Sequence, residues 1–388
     1  MKLEELKKMA VIGAGDMGHG IAQVALMAGY DVNLCDIKQE FVERGISRIY
    51  ASLDKLQEKG KVSAEQVSAI KNGMLNGYTS IAEACADVDF IMEVVPERMD
   101  IKLPTLAAID AAAPAHAVIG SNTSTMSITK LATATKRPDK VFGMHYFNPV
   151  VLMRLVEVIR GDKTSDESIQ FALDYVKKLG KTLVYAKKDT PGFIANRIAA
   201  PVIVYNGLML DVEGFDPADI DTSMMKIGQK MGPMELADYS GVDVMAACLD
   251  YYHEHLDPEY GASKAMKHLL ENKHFGRKSG QGYYTWPVKG RPLIDESKYT
   301  GKYDTDIPFF IQANEATKLY EAGVCSLEEC DIAMEYGYNT AGPIGYIQNF
   351  DPACVAGKLQ EISEKFGYKI FAPTETIRTG AYKERRGM

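Results

Sequence analysis

Short apolar runs alternate with helical patterns over the first half of the chain, as far as residue 188. Each run is followed by loop-forming residues or by the start of a helix, which is the pattern of strand–helix–strand units on a parallel sheet. The predicted strands are Met9–Ile12, Val32–Cys35, Phe90–Val94, Val118–Ser121 and Val141–His145. The pattern therefore predicts an α/β domain over residues 1–188.

A longer segment with helical periodicity separates the second predicted strand from the third. We predict that its first helix runs from about Phe41 to Lys59. A second helix is predicted to begin at Ser63, with Gln66 three residues later as the partner in a capping box.

The periodicity changes after residues 190–192, Thr-Pro-Gly, and remains helical from there. Because no strand alternation of any length returns, we predict a second, all-α domain over residues 189–287. Residues 276–308 are rich in glycine, proline and charge, which is typical of a linker.

The residues that follow this linker resemble the earlier helical segment. Three positions recur at a constant offset of 110: Asp221, Gly232 and Pro233 correspond to Asp331, Gly342 and Pro343. We therefore predict that residues 288–388 comprise the linker and a degenerate second copy of the helical segment, so that the helical domain is duplicated. Chance similarity of a few Gly-Pro matches is the alternative.

The composition of the 388 residues, 46% hydrophobic and 25% charged, is that of a globular protein and excludes collagen-like, coiled-coil and disordered chains. A formal net charge of −8 offers no basic field for nucleic acid or for a membrane surface. Six dispersed cysteines without a Cys-x-x-Cys pair are typical of reduced thiols. With no apolar stretch of 18 residues and no apolar leader, we expect a cytoplasmic protein.

A glycine-rich sequence, Gly13-Ala14-Gly15-Asp16-Met17-Gly18, follows the first predicted strand and opens an amphipathic helix. In this context the pattern predicts a dinucleotide site, in which the glycines allow a tight turn, approach of a pyrophosphate and close helix–strand packing. Asp36 ends the second predicted strand, 23 residues after Gly13. A carboxylate there binds a ribose 2′-hydroxyl and repels a 2′-phosphate, so we predict NAD rather than NADP, although Lys38 would suit a phosphate. The alternative is a glycine-rich turn without a ligand.

Residues 121–125, Ser-Asn-Thr-Ser-Thr, follow an apolar strand at the end where open α/β sheets bind ligands. A helix N-cap before Met126 is an equally good interpretation of these small polar residues.

His145 ends a predicted strand, and Glu157 interrupts an apolar run twelve residues later. Two strands joined by a short loop would bring the imidazole and the carboxylate together as a pair suited to proton transfer. An ordinary buried histidine and a glutamate on an exposed strand face are the alternatives. No metal site is predicted, because His253 and His255 are two residues apart and do not share a helix face.

Taken together, these segments resemble the L-3-hydroxyacyl-CoA dehydrogenase family, which includes the 3-hydroxybutyryl-CoA dehydrogenases. The matching stretches are, in the family's order, GAGDMGHGIAQVALMAGYDV, SNTST, HYFNPVVLMRLVEVI, KDTPGFIANRI, MGPMELADYSGVD and FGRKSGQGYY. The resemblance implies a Rossmann-like NAD-binding domain followed by a helical domain. It also implies reversible, NAD-dependent oxidation of an (S)-3-hydroxyacyl-CoA to the 3-ketoacyl-CoA, a reaction of fatty acid metabolism and β-oxidation.

The resemblance further implies roles for individual residues. His145 matches the catalytic histidine and Glu157 the glutamate that orients it, while Ser124 and Asn196 match the pair that hydrogen-bonds the C3 oxygen of the substrate. From the motif and the resemblance together, the expected cofactor contacts are Gly13, Ala14, Gly15, Asp16, Met17, Gly18, Asp36, Glu97, Lys102, Asn122, Asn148 and Lys278. Ser52 and Lys59 match positions that contact coenzyme A, although a solvated helix face explains Lys59 equally well.

Two other functions remain open from the sequence. An NAD-dependent dehydrogenase of a non-CoA hydroxy acid, of the carnitine or gulonate type, would share the histidine–glutamate pair without using a coenzyme A contact. A non-catalytic protein that binds NAD, as in lens crystallins related to this family, would lack turnover altogether.

The chain is longer than the simplest members of the family. Its C-terminal copy lacks an Asn-Arg pair aligned with Asn196 and Arg197, so we expect that copy to be structural. In short members of the family the helical domain forms the dimer. A second copy in the same chain would take the partner's place, and we expect either a monomeric pseudo-dimer or a homodimer through the helical domains.

Overall fold

The computed structural model describes residues 1–384 and divides the chain into two compact units, Met1–Phe193 and Ile194–Met388. The first unit contains one sheet with the strand order β3-β2-β1-β4-β5-β6-β7-β8. The strands are β1 (Lys8–Ile12), β2 (Asp31–Cys35), β3 (Leu75–Tyr78), β4 (Phe90–Glu93), β5 (Val118–Ser121), β6 (Val141–Tyr146), β7 (Leu155–Ile159) and β8 (Thr182–Ala186).

The helices of the first unit connect these strands and cover the sheet. They are α1 (Gly18–Met27), α2 (Gln39–Glu58), α3 (Ala64–Ala69), α4 (Ile81–Cys85), α5 (Met99–Ala112), α6 (Ile128–Ala132) and α7 (Asp166–Lys178). Every residue of β4, β5, β6 and β7 is buried, as expected of strands covered by helices on both faces. The predicted Rossmann-like architecture is therefore confirmed.

The sheet departs from the prediction in two respects. It is not wholly parallel, because β6 and β7 form an antiparallel pair across the short loop between them. Neither edge strand was predicted. In β3, Leu-Asn-Gly-Tyr has no apolar run and exposes two of its four residues, and in β8 only two of the five residues are buried. The five predicted strands are all present, with ends that differ by at most one residue.

The predicted capping box at Ser63 is only half formed. The Ser63 hydroxyl accepts a hydrogen bond from the backbone N–H of Gln66 at 3.1 Å, as an N-cap should. The Gln66 side chain does not return this bond, because its amide donates to the carbonyl of Met27 at 2.7 Å. The tertiary contact with the end of α1 therefore replaces the reciprocal half of the box.

The second unit is helical, as predicted. Its helices are α8 (Ala195–Asp211), α9 (Pro217–Lys226), α10 (Pro233–Ser240), α11 (Val242–His255), α12 (Lys264–Glu271), α13 (Ile307–Glu321), α14 (Leu327–Gly337), α15 (Pro343–Ile347), α16 (Pro352–Phe366) and α17 (Glu375–Thr379). The start of the predicted linker is packed rather than free, since the indole of Trp286 is buried and donates to Asp238 at 2.9 Å.

Equivalent hydrogen bonds occur in the two halves of the helical unit. Asp221 in α9 accepts from two backbone N–H groups at the start of α10, both at 2.8 Å. Asp331 in α14 accepts in the same way from the start of α15, at 2.7 and 2.9 Å. Gly232 and Gly342 allow these contacts, because a Cβ atom at either position would lie 2.3 or 2.6 Å from the aspartate carboxyl carbon. The residues that form these contacts in the second half thus lie 110 positions after their counterparts in the first half.

Among the described residues, no helix combines the length and the apolar character that crossing a bilayer requires.

Candidate active site

The glycine-rich loop between β1 and α1 has the geometry that a bound pyrophosphate needs. Gly13 has a φ of +113°, and a Cβ atom there would lie 2.4 Å from the carbonyl oxygen of Val94. A Cβ atom on Gly18 would lie 1.8 Å from the carbonyl oxygen of Gly13. A Cβ atom on Gly15, in contrast, would have no other atom within 4 Å. The first and third glycines are required by packing, and the second leaves open space at the N-terminus of α1. The loop therefore fits a dinucleotide.

The side chains of the motif have partners within the first unit. Asp36 accepts hydrogen bonds from the backbone N–H groups of Ala14 and Ile37, each at 2.7 Å. The carboxylate is thereby held beside the loop, at the end of β2. Asp16 forms a 2.5 Å ion pair with Arg48, and Met17 packs partly buried against the core. The Asp16 carboxylate thus takes part in an exposed ion pair and the Met17 side chain in packing, and cofactor contacts of both residues stay predictions.

His145 and Glu157 are directly opposite each other in the antiparallel pair β6–β7. The Nδ1 atom of His145 is 2.6 Å from the Oε2 atom of Glu157. Glu157 is fully buried and His145 is 6% exposed, so the interpretation of Glu157 as an exposed strand-face residue is wrong. The rings of Phe147 and Phe193 lie beside the imidazole, with centroids 4.6 and 6.0 Å from it.

This pairing gives the two nitrogens of His145 different roles. With Nδ1 at hydrogen-bond distance from a carboxylate, the neutral ring carries its proton on Nδ1 and donates it to Glu157. The lone pair is then on Nε2, the nitrogen that does not face Glu157. The arrangement can accept a proton at Nε2, and the carboxylate stabilises the imidazolium that forms.

Glu97 organises the small polar residues that follow β5. Its Oε1 atom accepts from the hydroxyl of Thr123 at 2.5 Å, and from the backbone N–H and the hydroxyl of Ser124 at 2.9 and 3.3 Å. Although burial would raise the pKa of Glu97, the Lys102 ammonium and these hydrogen bonds lower it below its ordinary value. Glu97 is therefore an ionised acceptor that fixes the position of Ser124.

The N-cap interpretation of residues 121–125 is wrong. The N-cap of α6 is Ser127, whose hydroxyl accepts from the backbone N–H of Lys130 at 3.1 Å. Ser124 lies three residues earlier, within the loop that Glu97 holds, and is only partly buried.

Lys102 lies in a buried cluster that the sequence analysis did not include. Its ammonium is 2.8 Å from Glu93 and 3.3 Å from Glu97, and the side chain is 1% exposed. Glu93 also accepts from the hydroxyl of Ser121 at 2.6 Å. The signal for Glu93 was present in the sequence, because a carboxylate at the end of an apolar strand needs a partner in the same way as Glu157 does. A direct contact between Lys102 and the cofactor stays a prediction.

Two asparagines were predicted near the cofactor. Asn122 follows β5, and its Oδ1 atom accepts from the backbone N–H of Tyr146 at 2.8 Å, which ties the end of β5 to β6. Asn148 lies two residues beyond β6 and is exposed. Their contacts with a nicotinamide cofactor stay predictions.

In the second unit, Asn196 lies in the first turn of α8. Its Oδ1 atom accepts a hydrogen bond from the hydroxyl of Tyr338 at 2.8 Å. Next to it, Arg197 pairs with the buried carboxylate of Glu315 at 2.5 Å. The C-terminal segment, residues 288–384, therefore holds the start of α8 through two contacts that sequence patterns did not indicate. Lys278, the predicted basic contact, pairs with Asp243 at 2.6 Å.

The predicted coenzyme A contacts lie at the C-terminal half of α2. Ser52 accepts from the side-chain amide of Gln23 at 2.9 Å, and Lys59 is exposed just after the helix. Seven residues separate them, so they share one face of the helix about 10 Å apart. Lys59 is accessible to an anionic group, and its contact with coenzyme A stays a prediction. Within residues 1–384, no group of three or more His, Cys, Asp or Glu side chains is arranged to hold a metal ion.

Several known proteins are similar to this chain in sequence or in structure. The profile of the 3-hydroxyacyl-CoA dehydrogenase NAD binding domain matches residues 8–190, and that of the C-terminal domain matches residues 192–286. A Deinococcus radiodurans protein named "Probable 3-hydroxybutyryl-CoA dehydrogenase" is 40% identical over 282 residues, which cover 72% of this chain and 100% of the relative.

Two further similarities extend into the C-terminal segment. The "Fatty acid oxidation complex subunit alpha" of Idiomarina loihiensis is 35% identical over 371 residues, 89% of this chain and 51% of the relative. The crystal structure of 3-hydroxybutyryl-CoA dehydrogenase from Escherichia coli superposes with a TM-score of 0.87 at 25% identity, over 97% of this chain and 98% of that one.

Proposed function

Because the chain belongs to the 3-hydroxyacyl-CoA dehydrogenase family and catalyses NAD-dependent oxidation of a 3-hydroxyacyl-CoA, we propose that His145 is its general base and Glu157 the positioning residue of that base. The observation that carries this proposal is the buried 2.6 Å contact between His145 Nδ1 and Glu157 Oε2. It leaves Nε2 of the imidazole to remove the proton of the C3 hydroxyl. The nicotinamide ring of NAD, when bound, accepts the hydride from C3.

Ser124 and Asn196 are proposed to hydrogen-bond the C3 oxygen. Glu97 accepts from the backbone N–H of Ser124 and so holds the residue in place. Tyr338 donates to the Oδ1 atom of Asn196, which orients the amide so that its Nδ2 group is the end that donates elsewhere. A donor such as the Asn196 amide suits an oxygen that carries partial negative charge while hydride and proton leave.

The remaining contacts are proposed from the positions of the residues in their own units. The loop of residues 13–18 and Asp36 hold the pyrophosphate and the adenosine ribose of NAD, with Glu97, Lys102, Asn122, Asn148 and Lys278 as further residues of the cofactor site. Ser52 and Lys59 are proposed to contact coenzyme A, for which the exposed ammonium of Lys59 offers a partner to a phosphate.

We propose that the helical unit is an internal duplication that takes the place of a subunit interface, so that the protein is a monomeric pseudo-dimer. The matching aspartate contacts of Asp221 and Asp331 support this proposal.

A cytoplasmic location is also proposed, for which the free thiols of all six cysteines are the supporting observation.

An assay that compares a coenzyme A ester with its free acid tests the proposed function. NADH oxidation should follow addition of acetoacetyl-CoA, whereas free acetoacetate at the same concentration should give little turnover. Turnover of the free acid at an equal rate would favour a dehydrogenase of non-CoA hydroxy acids. Binding of NADH without turnover of either compound would favour a non-catalytic protein.

A further inference from the structure

A cavity of about 140 Å³ lies inside the second unit. Its wall combines the first helical segment, through α8 to α12, with the C-terminal segment, through α13 and α14. Residues 287 onward, which the family's domain profiles do not cover, therefore complete a cavity that the first helical segment does not enclose by itself.

One residue of the cavity wall contacts the residue that the proposed function places at the C3 oxygen. Tyr338 lines it, and the hydroxyl of the same tyrosine donates to Asn196 at 2.8 Å. Ala199, Val202 and Ile203 line it as well, and they follow Asn196 along α8 at the spacing of one helix face. From Asn196 to Ile203 this face advances by about 10 Å along the helix axis.

The wall is predominantly apolar, which suits a hydrocarbon chain, although the buried Oε1 atom of Gln312 has no hydrogen-bond partner among the described residues. None of the described residues that line the cavity is charged. Two of its polar side chains are bonded within the protein, since Asn206 accepts from Tyr303 at 2.6 Å and Gln229 donates to Thr340 at 3.2 Å. Six methionines contribute to the wall: Met224, Met231, Met234, Met245, Met266 and Met334. Methionine side chains are flexible and polarisable, so a wall of this kind adapts to apolar groups of different length.

The volume sets the length of chain that the cavity can hold. An apolar cavity of about 150 Å³ accommodates benzene, so one of 140 Å³ has room for about six carbon atoms. If the C3 oxygen is bound at Asn196 and the chain enters the cavity beyond C4, six more carbons correspond to an acyl group of about ten carbons.

We propose that this cavity is the acyl-chain site of the enzyme, and that it makes medium-chain 3-hydroxyacyl-CoA esters better substrates than four-carbon esters. The proposal rests on the proposed function, because it takes the C3 oxygen to be bound at Asn196. It assigns residues of the C-terminal segment, Tyr338 and Met334 among them, a part in substrate selection.

The test compares kcat/KM for NADH-dependent reduction of 3-ketoacyl-CoA esters with 4, 6, 8, 10 and 12 carbons. In the wild-type protein kcat/KM should rise by about ten-fold or more between four and ten carbons, because each methylene buried in an apolar pocket contributes to discrimination. Val202→Phe places a ring in the cavity and should lower the ratio of the ten-carbon to the four-carbon value by about ten-fold. Ile203→Phe tests the same point should the first variant fail to fold.

Leu208→Phe is the matched control, because Leu208 is a half-buried aliphatic residue of α8 that does not line the cavity. This variant should keep the wild-type dependence on chain length. A wild-type kcat/KM that is flat or falls from four to ten carbons would overturn the proposal, as would an equal effect of Val202→Phe on all esters. In either case turnover of the four-carbon ester leaves the proposed function standing, whereas a lack of turnover at every length overturns both.

Discussion

The Nδ1 atom of His145 is committed to Glu157, so the side chain at position 157 determines which proton the imidazole can exchange. Glu157→Gln keeps the shape of this side chain but removes the charge that stabilises the imidazolium. We expect kcat for a 3-ketoacyl-CoA to fall by about 10²-fold, the lower end of what a positioned acid or base contributes. The pH dependence of kcat/KM should also shift, because a neutral amide at position 157 no longer favours the protonated ring over the neutral ring.

The exposed Glu83→Gln serves as the control for this substitution. Its rate and pH profile should match those of the wild-type protein. An unchanged pH profile in Glu157→Gln would contradict the role given to the pair.

At the residue scale, sequence patterns were informative wherever a residue conflicts with its local surroundings. Glu157 inside an apolar strand and the glycines of the loop 13–18 stand out for this reason, and both lie where they were predicted. Tyr338 has no such signal. It lies 142 residues from Asn196 in the sequence, and only the packing of the helices brings the two residues into contact.

At the scale of elements, the apolar runs predicted the strands of the sheet well, but they did not indicate strand direction. The antiparallel pairing of β6 and β7 follows from the short connection between them, since a parallel pair needs a crossover of a dozen or more residues. This pairing matters for the site, because it sets His145 opposite Glu157 in the same register.

The contact between α14 and α15 gives a prediction at this scale. Asp331→Ala removes an acceptor of two backbone hydrogen bonds at the start of α15. We expect the free energy of unfolding to fall by about 2 kcal/mol, because a helix N-terminus loses its cap and buried donors lose their partner. Urea unfolding followed by circular dichroism measures the change.

Glu328→Ala, at an exposed position of the same helix, is the control and should leave the unfolding midpoint unchanged. Equal midpoints for the two variants would show that the Asp331 contact does not stabilise the helical unit.

At the scale of the whole molecule, a few residues at an offset of 110 predict a helical repeat, which stays a prediction, and equivalent aspartate contacts recur in the folded unit at that offset. The cavity between the two segments could not be predicted in this way. Its wall is assembled from seven helices and their connections, and no local pattern specifies how these side chains leave a space.

The proposed pseudo-dimer predicts the mass of the protein in solution. If the C-terminal segment takes the place of a partner, the protein should be a monomer of about 42.7 kDa. Size-exclusion chromatography with light scattering measures this mass directly. A stable dimer formed through the first helical segment would contradict the proposal, and crosslinking between residues of α8 to α12 in two chains would identify such a dimer.

The central claim is that His145 acts as the general base of an NAD-dependent 3-hydroxyacyl-CoA dehydrogenase. Its most direct test is the turnover number of His145→Gln with NADH and a 3-ketoacyl-CoA, measured together with the dissociation constant for NADH. We expect turnover to fall by about 10²- to 10⁴-fold, the contribution of a positioned acid or base, while NADH binding is kept. Wild-type turnover in His145→Gln would contradict the assignment.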